Sequence, residues 1–238
     1  MEKIEKLKKI FKQEKIDGYI IPKNDEFFGE YIPDHNDRLK FISNFSGSYG
    51  FALILKRKNF LFVDGRYTLQ ASNQSGKNFK IITIPDKMPR DILKKKKISI
   101  GFDPSLFTKK FLSVFFSNNK CKFKPIDKNL IDQIWKRNIK NKINNKNKFF
   151  ILPKSSVSEN YQSKINKIVN YLKKRKSDYL FLTASENNAW LLNIRGRDTN
   201  YTPIPHSYIL IDKNKNIKFF CDLRKISSSF KNHFKLIR

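Results

Sequence analysis

One segment almost free of apolar side chains divides this chain into two halves. Residues 138–148 read NIKNKINNKNK, a composition that cannot contribute to a packed core. The two halves open alike, with KIEKLKKIFKQEKIDGYII from residue 3 and KINKIVNYLKKRKSDYLFL from residue 164. Each run is an amphipathic helix pattern followed by a short β-rich stretch. The repetition predicts two related domains, one on each side of the polar segment.

Strand-like and helix-like patterns alternate within both halves. The predicted strands are 18–22, 49–56, 59–63, 79–84, 98–102, 179–183, 207–211 and 217–221. The predicted helices are 3–15, 64–74, 106–116, 158–174 and 185–192, with a helical turn at 38–42. Interleaved strands and helices indicate an α/β fold. We expect one domain at 1–140, a basic polar linker at 141–155 and a second domain at 156–238.

The charge of the chain is strongly positive. Lys+Arg 50 against Asp+Glu 21 gives a formal net charge of +29, which raises the possibility of a nucleic-acid-binding protein. The lysines, however, are spread along the whole sequence rather than gathered in one region. We therefore expect only salt-sensitive, non-specific binding to polyanions, and no specific nucleic-acid site.

The sequence favours a cytoplasmic protein. The N-terminus has neither the apolar core nor the cleavage site of a signal peptide, and no apolar window is long enough to cross a membrane. Cys121 and Cys221 lie one in each half. This placement fits two unpaired thiols in a reducing compartment better than a disulfide framework.

The run SNFSGSYG, Ser43 to Gly50, places two glycines just before a predicted strand. A tight turn that comes close to another element explains it best. A phosphate-binding loop would need a following helix and a Lys-Ser/Thr pair, and this sequence has a strand there instead.

The run DGRY, Asp64 to Tyr67, follows a predicted strand, and Asp64 is well placed to cap the next helix. Arg66 could bind a carboxylate or a peptide carbonyl through its planar guanidinium. On residue types alone, local pairing of Arg66 with Asp64 or another carboxylate is the favoured interpretation.

The run NIRGRDTNYTP, Asn193 to Pro203, combines two arginines, an aspartate and a glycine in an irregular segment. It could hold an anion. We favour a loop that braces neighbouring domains, in which Arg195 pairs with Asp198.

Motifs that carry chemistry of their own are missing from the sequence. His35, His206 and His233 form no HExxH pattern, GxSxG is absent, and the two cysteines have no redox spacing. Each histidine is better interpreted as a surface or packing residue than as a metal ligand.

Several of these segments, in this order, resemble the N-terminal region of the Xaa-Pro aminopeptidase (aminopeptidase P) family. They are DRLKFISNFSGSYG from Asp37, DGRY from Asp64, GFDP from Gly101, NLIDQIW from Asn129 and AWLLNIRGRDTNYTP from Ala189. The family run that corresponds to residues 43–50 reads close to SGFSGSAG, and Asn44 and Tyr49 depart from it. The resemblance extends over essentially the whole chain.

The resemblance implies two creatinase-N-terminal-like (ribonuclease-H-like) domains with mixed sheets flanked by helices, the second of them incomplete. It also implies that Arg66 contacts a peptide substrate beside a metal site that the catalytic domain supplies. In the family that site holds two manganese ions through two aspartates, a histidine and two glutamates of the catalytic domain. None of these five ligands can be placed in this sequence, so we expect no catalytic residue and no metal ligand here.

The function expected from the resemblance is that of the non-catalytic region of an Xaa-Pro aminopeptidase. Such a region would contribute substrate access and oligomerisation, and it would be inactive alone. Its partners would be a catalytic domain or a full-length homologue, and a peptide with proline at its second position. An interaction module that docks on a separate catalytic subunit is the alternative, and a basic nucleic-acid-binding protein is a weaker one.

Overall fold

A computed structural model describes residues 2–117, 120–135 and 148–234 of the chain. The chain divides into two compact units. The first unit comprises Met1–Glu26 and Asp34–Asn138, and the second comprises Phe27–Pro33 and Ile139–Arg238.

The first unit is built on a six-stranded mixed sheet. Its strands are β1 (Gly18–Pro22), β2 (Phe51–Leu55), β3 (Asn59–Asp64), β4 (Lys80–Ile84), β5 (Ser99–Phe102) and β6 (Lys122–Pro125). They lie in the order β4-β3-β2-β1-β5-β6. The pairs among β1, β2 and β3 are antiparallel, whereas β4, β5 and β6 add in parallel. The α/β class predicted from the sequence is thereby confirmed.

Helices cover both faces of this sheet. They are α1 (Glu2–Gln13), α2 (Arg38–Ser43), α3 (Thr68–Ser75), α4 (Pro89–Leu93), α5 (Lys109–Phe116) and α6 (Leu130–Trp135). Successive strand residues point to opposite faces, so Ala52 and Ile54 of β2 join the core beneath α1, while Phe51 and Leu53 join a second core that includes Phe116 of α5. The unit therefore has three layers with an apolar core on each side of the sheet.

The second unit contains a smaller, antiparallel sheet. Its strands are β8 (Tyr179–Leu182), β10 (Ser207–Asp212) and β11 (Ile217–Cys221), in the order β11-β10-β8, beside a short pair formed by β7 (Phe150–Ile151) and β9 (Ile194–Arg195). The helices are α7 (Tyr161–Lys174), α8 (Ser185–Leu192) and α9 (Ser228–His233). One face of the sheet packs on these helices through a single apolar cluster.

The segment that was expected to be a linker is only partly described. Residues 141–147 lie outside the described residues. Phe149 is buried in the core of the second unit, and Ile151 packs against that core. Residues 149–151 therefore belong to the folded second unit, because their apolar side chains complete its core.

The helix–strand openings of the two units match at individual residues. Lys15 and Lys176 both adopt positive φ, 52° and 53°, after the first helix of their unit. In both units a lysine then donates its ammonium to an aspartate just before the strand that follows this helix: Lys56 to Asp17 at 2.5 Å and Lys213 to Asp178 at 2.7 Å. The duplicated opening noted in the sequence thus extends to matching contacts in three dimensions.

Candidate functional site

Arg66 lies at the end of β3, in a short 3-10 turn, Gly65–Tyr67, that precedes α3. The Asp64 side chain accepts from the Arg66 backbone N–H at 3.0 Å and from Nη2 at 2.7 Å. These bonds hold the pKa of the Asp64 carboxyl below its usual range. The Arg66 side chain remains 72% exposed. The geometry therefore shows the local pair that residue types alone favour, with a guanidinium that solvent can still reach.

The glycine-containing run and the DGRY run lie side by side. Tyr67 hydroxyl and Ser48 Oγ share a hydrogen bond of 2.8 Å, and the Tyr67 ring meets Phe45 edge-on. A Cβ on Gly47 would lie 2.8 Å from Cδ1 of Tyr67, so only glycine allows this approach. Two of the segments that carry the family resemblance are therefore in direct contact next to Arg66.

The same run is a structural turn rather than an anion-binding loop. Asn44 adopts the left-handed conformation, φ 66°, at the end of α2, a position that asparagine tolerates better than most residues. The backbone N–H of Phe45 donates to Ser43 Oγ, and that of Ser46 donates to Gln74 Oε1. Since these donors are already committed within the protein, the geometry does not favour a phosphate site.

Arg38 organises a buried ionic network in the first unit, and no local sequence pattern indicated it. Its guanidinium binds Asp132 of α6 through Nε and Nη2, each at 2.9 Å, and Glu26 through Nη2 at 2.6 Å. The side chain is only 2% exposed, and the hydrogen bonds with the two carboxylates raise the pKa of Arg38 against the effect of burial. The network links α2 to α6 in the first unit.

The prediction that Arg195 pairs with Asp198 is wrong. Arg195, in β9, donates to the carbonyl oxygens of Ile194 and Ala189. Asp198 instead binds the Lys225 ammonium and accepts from the His206 backbone N–H at 2.6 Å. Burial lowers the pKa of Lys225. Within the second unit, the loop is held by a lysine from a later part of the chain.

A cavity of about 180 Å³ lies beside this loop in the second unit. Glu30 and Glu186 line it, together with Thr199, Thr202 and His206. The His206 ring stacks on Phe27, with centroids 4.1 Å apart. Because the lining includes two carboxylates, the cavity does not support the anion site that the loop composition had left open.

The other groups of chemical interest in the described chain are potential metal ligands and the two thiols. Within residues 2–117, 120–135 and 148–234, no group of three or more His, Cys, Asp or Glu side chains is placed to hold a metal ion. Neither Cys121 nor Cys221 lies in a disulfide. Burial raises the pKa of the Cys221 thiol to about 12, which disfavours the nucleophilic thiolate. In this same part of the chain, no helix is long and apolar enough to cross a membrane.

Two family models match the chain, and both carry the description Creatinase/Prolidase N-terminal domain. One matches residues 3–134 and the other residues 140–237. The chain therefore belongs to the family of Creatinase/Prolidase N-terminal domains.

Curated relatives of this chain include Xaa-Pro aminopeptidases. A probable Xaa-Pro aminopeptidase P of Laccaria bicolor is 31% identical over 92% of this chain and 35% of its own length. Xaa-Pro aminopeptidase 1 of Dictyostelium discoideum is 30% identical over 97% of this chain and 39% of its own length. These alignments confirm the resemblance to Xaa-Pro aminopeptidases.

A solved structure extends the match to three dimensions. The X-prolyl aminopeptidase of Caenorhabditis elegans, described as a cytosolic enzyme with a di-nuclear active site, superposes with a TM-score of 0.88 at 28% identity. The match covers 99% of this chain and 41% of the nematode enzyme. This chain thus corresponds to the N-terminal region of such enzymes and spans well under half of their length.

Proposed function

We propose that this chain serves as the non-catalytic N-terminal region of an Xaa-Pro aminopeptidase. The observation that carries the proposal is the match of nearly the whole chain to 41% of the X-prolyl aminopeptidase of C. elegans. In this role the chain shapes access to the active site and contributes to oligomerisation, while a catalytic domain hydrolyses the bond before proline. The substrate is a peptide with proline at its second position, and the compartment is the cytoplasm.

Arg66 is the residue that we assign to the substrate. Its guanidinium is fixed by Asp64 at 2.7 Å yet is largely exposed, so it can present N–H donors in a constant direction to a peptide carbonyl or carboxylate. The contacts of Tyr67 with Ser48 and Phe45 hold the turn that carries Arg66. This arrangement supports a positioning contact rather than a chemical step.

The two manganese ions implied by the family are assigned to the catalytic domain. The residues described here do not fit such a centre, since they offer no cluster of three or more candidate ligands, whereas a dinuclear site needs several bridging carboxylates. We therefore assign every chemical step to the catalytic domain.

The proposal is tested by recovering the chain with its natural partner. An affinity-tagged chain is purified from its own cells and assayed with Mn²⁺ for release of the first residue of an Xaa-Pro peptide. We expect turnover in this preparation that co-elutes with a polypeptide carrying a catalytic domain. An active preparation without such a polypeptide, or no active preparation at all, would contradict the proposal.

The Arg66→Ala variant tests the assigned contact in the same preparation. We expect turnover to fall by about tenfold or more, as for the loss of a charged hydrogen bond of about 1.5–3 kcal/mol. Arg224→Ala is the matched control, because Arg224 binds Asp222 with the same geometry as Arg66 binds Asp64. Equal losses in both variants would show that Arg66 acts only through the fold.

The same role could be filled in two forms: the chain could be continuous with the catalytic domain, or it could be a separate module that docks on a catalytic subunit. The experiment above separates the two forms. A tagged chain of its own size beside a second polypeptide supports docking, whereas one longer polypeptide supports covalent continuity.

A further inference from the structure

A cleft of about 470 Å³ lies in the first unit, where β2 turns into β3. One wall is the turn of this hairpin, residues 56–58, and the other includes the connection from α4 to β5, residues 94–98. We call this site the basic cleft. It lies at the beginning of β3, whereas Arg66 follows the end of the same strand, roughly 20 Å of strand away. The basic cleft is therefore separate from the residue that we assign to the peptide.

The floor of the basic cleft is apolar. Four apolar side chains at the margin of the second core of this unit line it: Leu55, Phe60, Ile92 and Ile98. Leu55 and Phe60 are 8% and 6% exposed, and Ile92 and Ile98 are half-buried. A ligand that covers these side chains would remove apolar surface from water without displacing the core.

Cations surround this apolar floor. The described residues that line the cleft include one carboxylate, Asp17, and four exposed cations, Lys56, Arg57, Lys58 and Lys96. Lys56 pairs with Asp17 at 2.5 Å. In the described part of the chain, Arg57, Lys58 and Lys96 form no ion pair. Their positive charge is thus uncompensated among the described residues, which favours an anionic ligand.

Hydrogen bonds within the first unit fix the walls of the cleft. The hairpin turn is closed by the Leu55 N–H, which donates to the Lys58 carbonyl at 2.8 Å. Asp17 connects this wall to the other, because its carboxylate accepts from Lys56 and from the Ser99 N–H, the latter at 2.9 Å. Since these contacts form without a ligand, little further ordering would oppose binding.

The shape of the basic cleft selects a small molecule. Small-molecule sites are concave, mostly apolar and about 300–1,000 Å³ in volume, and the basic cleft lies within this range. A flat lysine-rich surface would bind any polyanion through charge alone. The concave apolar floor beneath the cations adds the requirement that the ligand carry an apolar body.

We propose that the basic cleft binds a small amphipathic anion. An acyl chain or a similar apolar body covers the floor, and a carboxylate or phosphate head lies near Lys58 and Lys96 of the two walls. A free fatty acid and an anionic membrane lipid share this chemistry. The binding site goes beyond the proposed function and does not depend on it.

The test is a titration of laurate into the complete ¹⁵N-labelled chain, at neutral pH and at concentrations where laurate is monomeric. We expect saturable chemical-shift changes at residues 55–60 and 92–98. Inorganic phosphate carries the charge without the apolar body, and dodecyltrimethylammonium carries the same chain with the opposite charge. Each should bind at least about tenfold more weakly than laurate, which corresponds to about 1.4 kcal/mol.

Variants of the protein establish where laurate binds. The double variant K58E/K96E reverses two exposed cations of the cleft and should weaken laurate binding by at least about tenfold. The matched control is K109E/K110E, which changes the net charge equally in the exposed first turn of α5, outside the lining of the cleft. It should leave laurate binding unchanged. Preserved spectra of both variants would show that the fold is intact.

Vesicles of phosphatidylcholine and phosphatidylglycerol separate the two sources of the anion. If sedimentation with these vesicles falls more in K58E/K96E than in K109E/K110E, a lipid head group in a membrane occupies the cleft. Equal vesicle binding by the two variants, with laurate binding lost only in K58E/K96E, assigns the cleft to the free anion.

Four outcomes would overturn the inference. They are no saturable binding of laurate, shift changes outside residues 55–60 and 92–98, equal losses of laurate binding in the two double variants, and an affinity for phosphate or dodecyltrimethylammonium equal to that for laurate. The readout is independent of catalysis, so the result leaves the proposed function untouched.

Discussion

Buried charge is concentrated at a few positions of this very basic chain, and Arg38 is the clearest of them. Its two carboxylate partners, Glu26 and Asp132, are themselves partly exposed, whereas Arg38 is buried. Removing the guanidinium leaves both carboxylates without their shared cation in a partly desolvated site. The cost of breaking such a network comes from that desolvation rather than from Coulomb attraction alone.

We predict that Arg38→Met destabilises the protein by about 2–3 kcal/mol, below the value for fully buried pairs because its partners keep some solvent contact. Urea denaturation followed by circular dichroism measures the change. Lys40→Met is the control, since Lys40 also lies on α2 and pairs with Asp34 at the surface; its cost should stay within about 0.5 kcal/mol. Equal costs would contradict the role given to Arg38.

The Asp64–Arg66 pair predicts a pH dependence of defined sign. Arg66 depresses the pKa of Asp64 in the folded state, so the pair stabilises the fold above the unfolded pKa of about 3.9. This stabilisation is lost as the pH falls through the depressed folded value. In Arg66→Ala, the Asp64 pKa measured by ¹³C NMR should rise towards its ordinary value. The stability of the two proteins should differ near neutral pH and converge in acid.

Sequence reasoning reached the contacts that are local in the chain. Asp64 caps the turn that follows it because the donors lie two residues away. The bond from Arg38 to Asp132 spans 94 residues, so no local pattern could reveal it. The error at Arg195 has the same origin, since Asp198 is bound by Lys225, 27 residues further on.

The ends of individual helices are stabilised by side chains that cap them. Helix α8 ends at Asn193, which adopts the left-handed conformation, φ 55°. The buried ammonium of Lys164, from α7, donates to the Trp190 carbonyl and to Asn193 Oδ1, each at 2.6 Å, and lies 4.0 Å from the Trp190 ring. A cation at the C-terminal end of a helix also complements the helix dipole.

We expect Lys164→Met to destabilise the protein by about 2–3 kcal/mol, because it keeps the apolar stem but removes two hydrogen bonds from a charged donor. Thermal or urea unfolding provides the measurement. Lys167→Met, three residues along the same helix, removes an exposed ammonium paired with Glu159 and should cost about 0.5 kcal/mol or less. A negligible effect at Lys164 would show that α8 needs no cap from α7.

Apolar runs in the sequence predicted most strands well. A strand with a polar sequence at the edge of a sheet was predicted poorly. The strands β2, β3, β10 and β11 were predicted within two residues because one or both of their faces are buried. Strand β6 reads KFKP and is only partly buried, so it carried no strand pattern. Helix α7 begins at Tyr161 instead of Ser158 because Asn160 caps it through the Ser163 N–H.

In the whole molecule, the duplication explains most of the contacts that recur in both units. Matching registers, matching aspartate–lysine contacts and matching aspartate–arginine turns recur in both units. The sequence revealed the duplication through its helix–strand openings. It could not reveal that Phe27–Pro33 joins the second unit, because aromatic contacts such as Phe27 on His206 hold this segment.

We propose that these 238 residues form a non-catalytic region of an Xaa-Pro aminopeptidase. The most direct test is hydrolysis of an Xaa-Pro peptide by the pure chain from a heterologous host, with added Mn²⁺ and with the C. elegans X-prolyl aminopeptidase as the positive control. We predict no release of the first residue by the chain alone. Turnover that requires Mn²⁺ and co-purifies with the folded chain would contradict it.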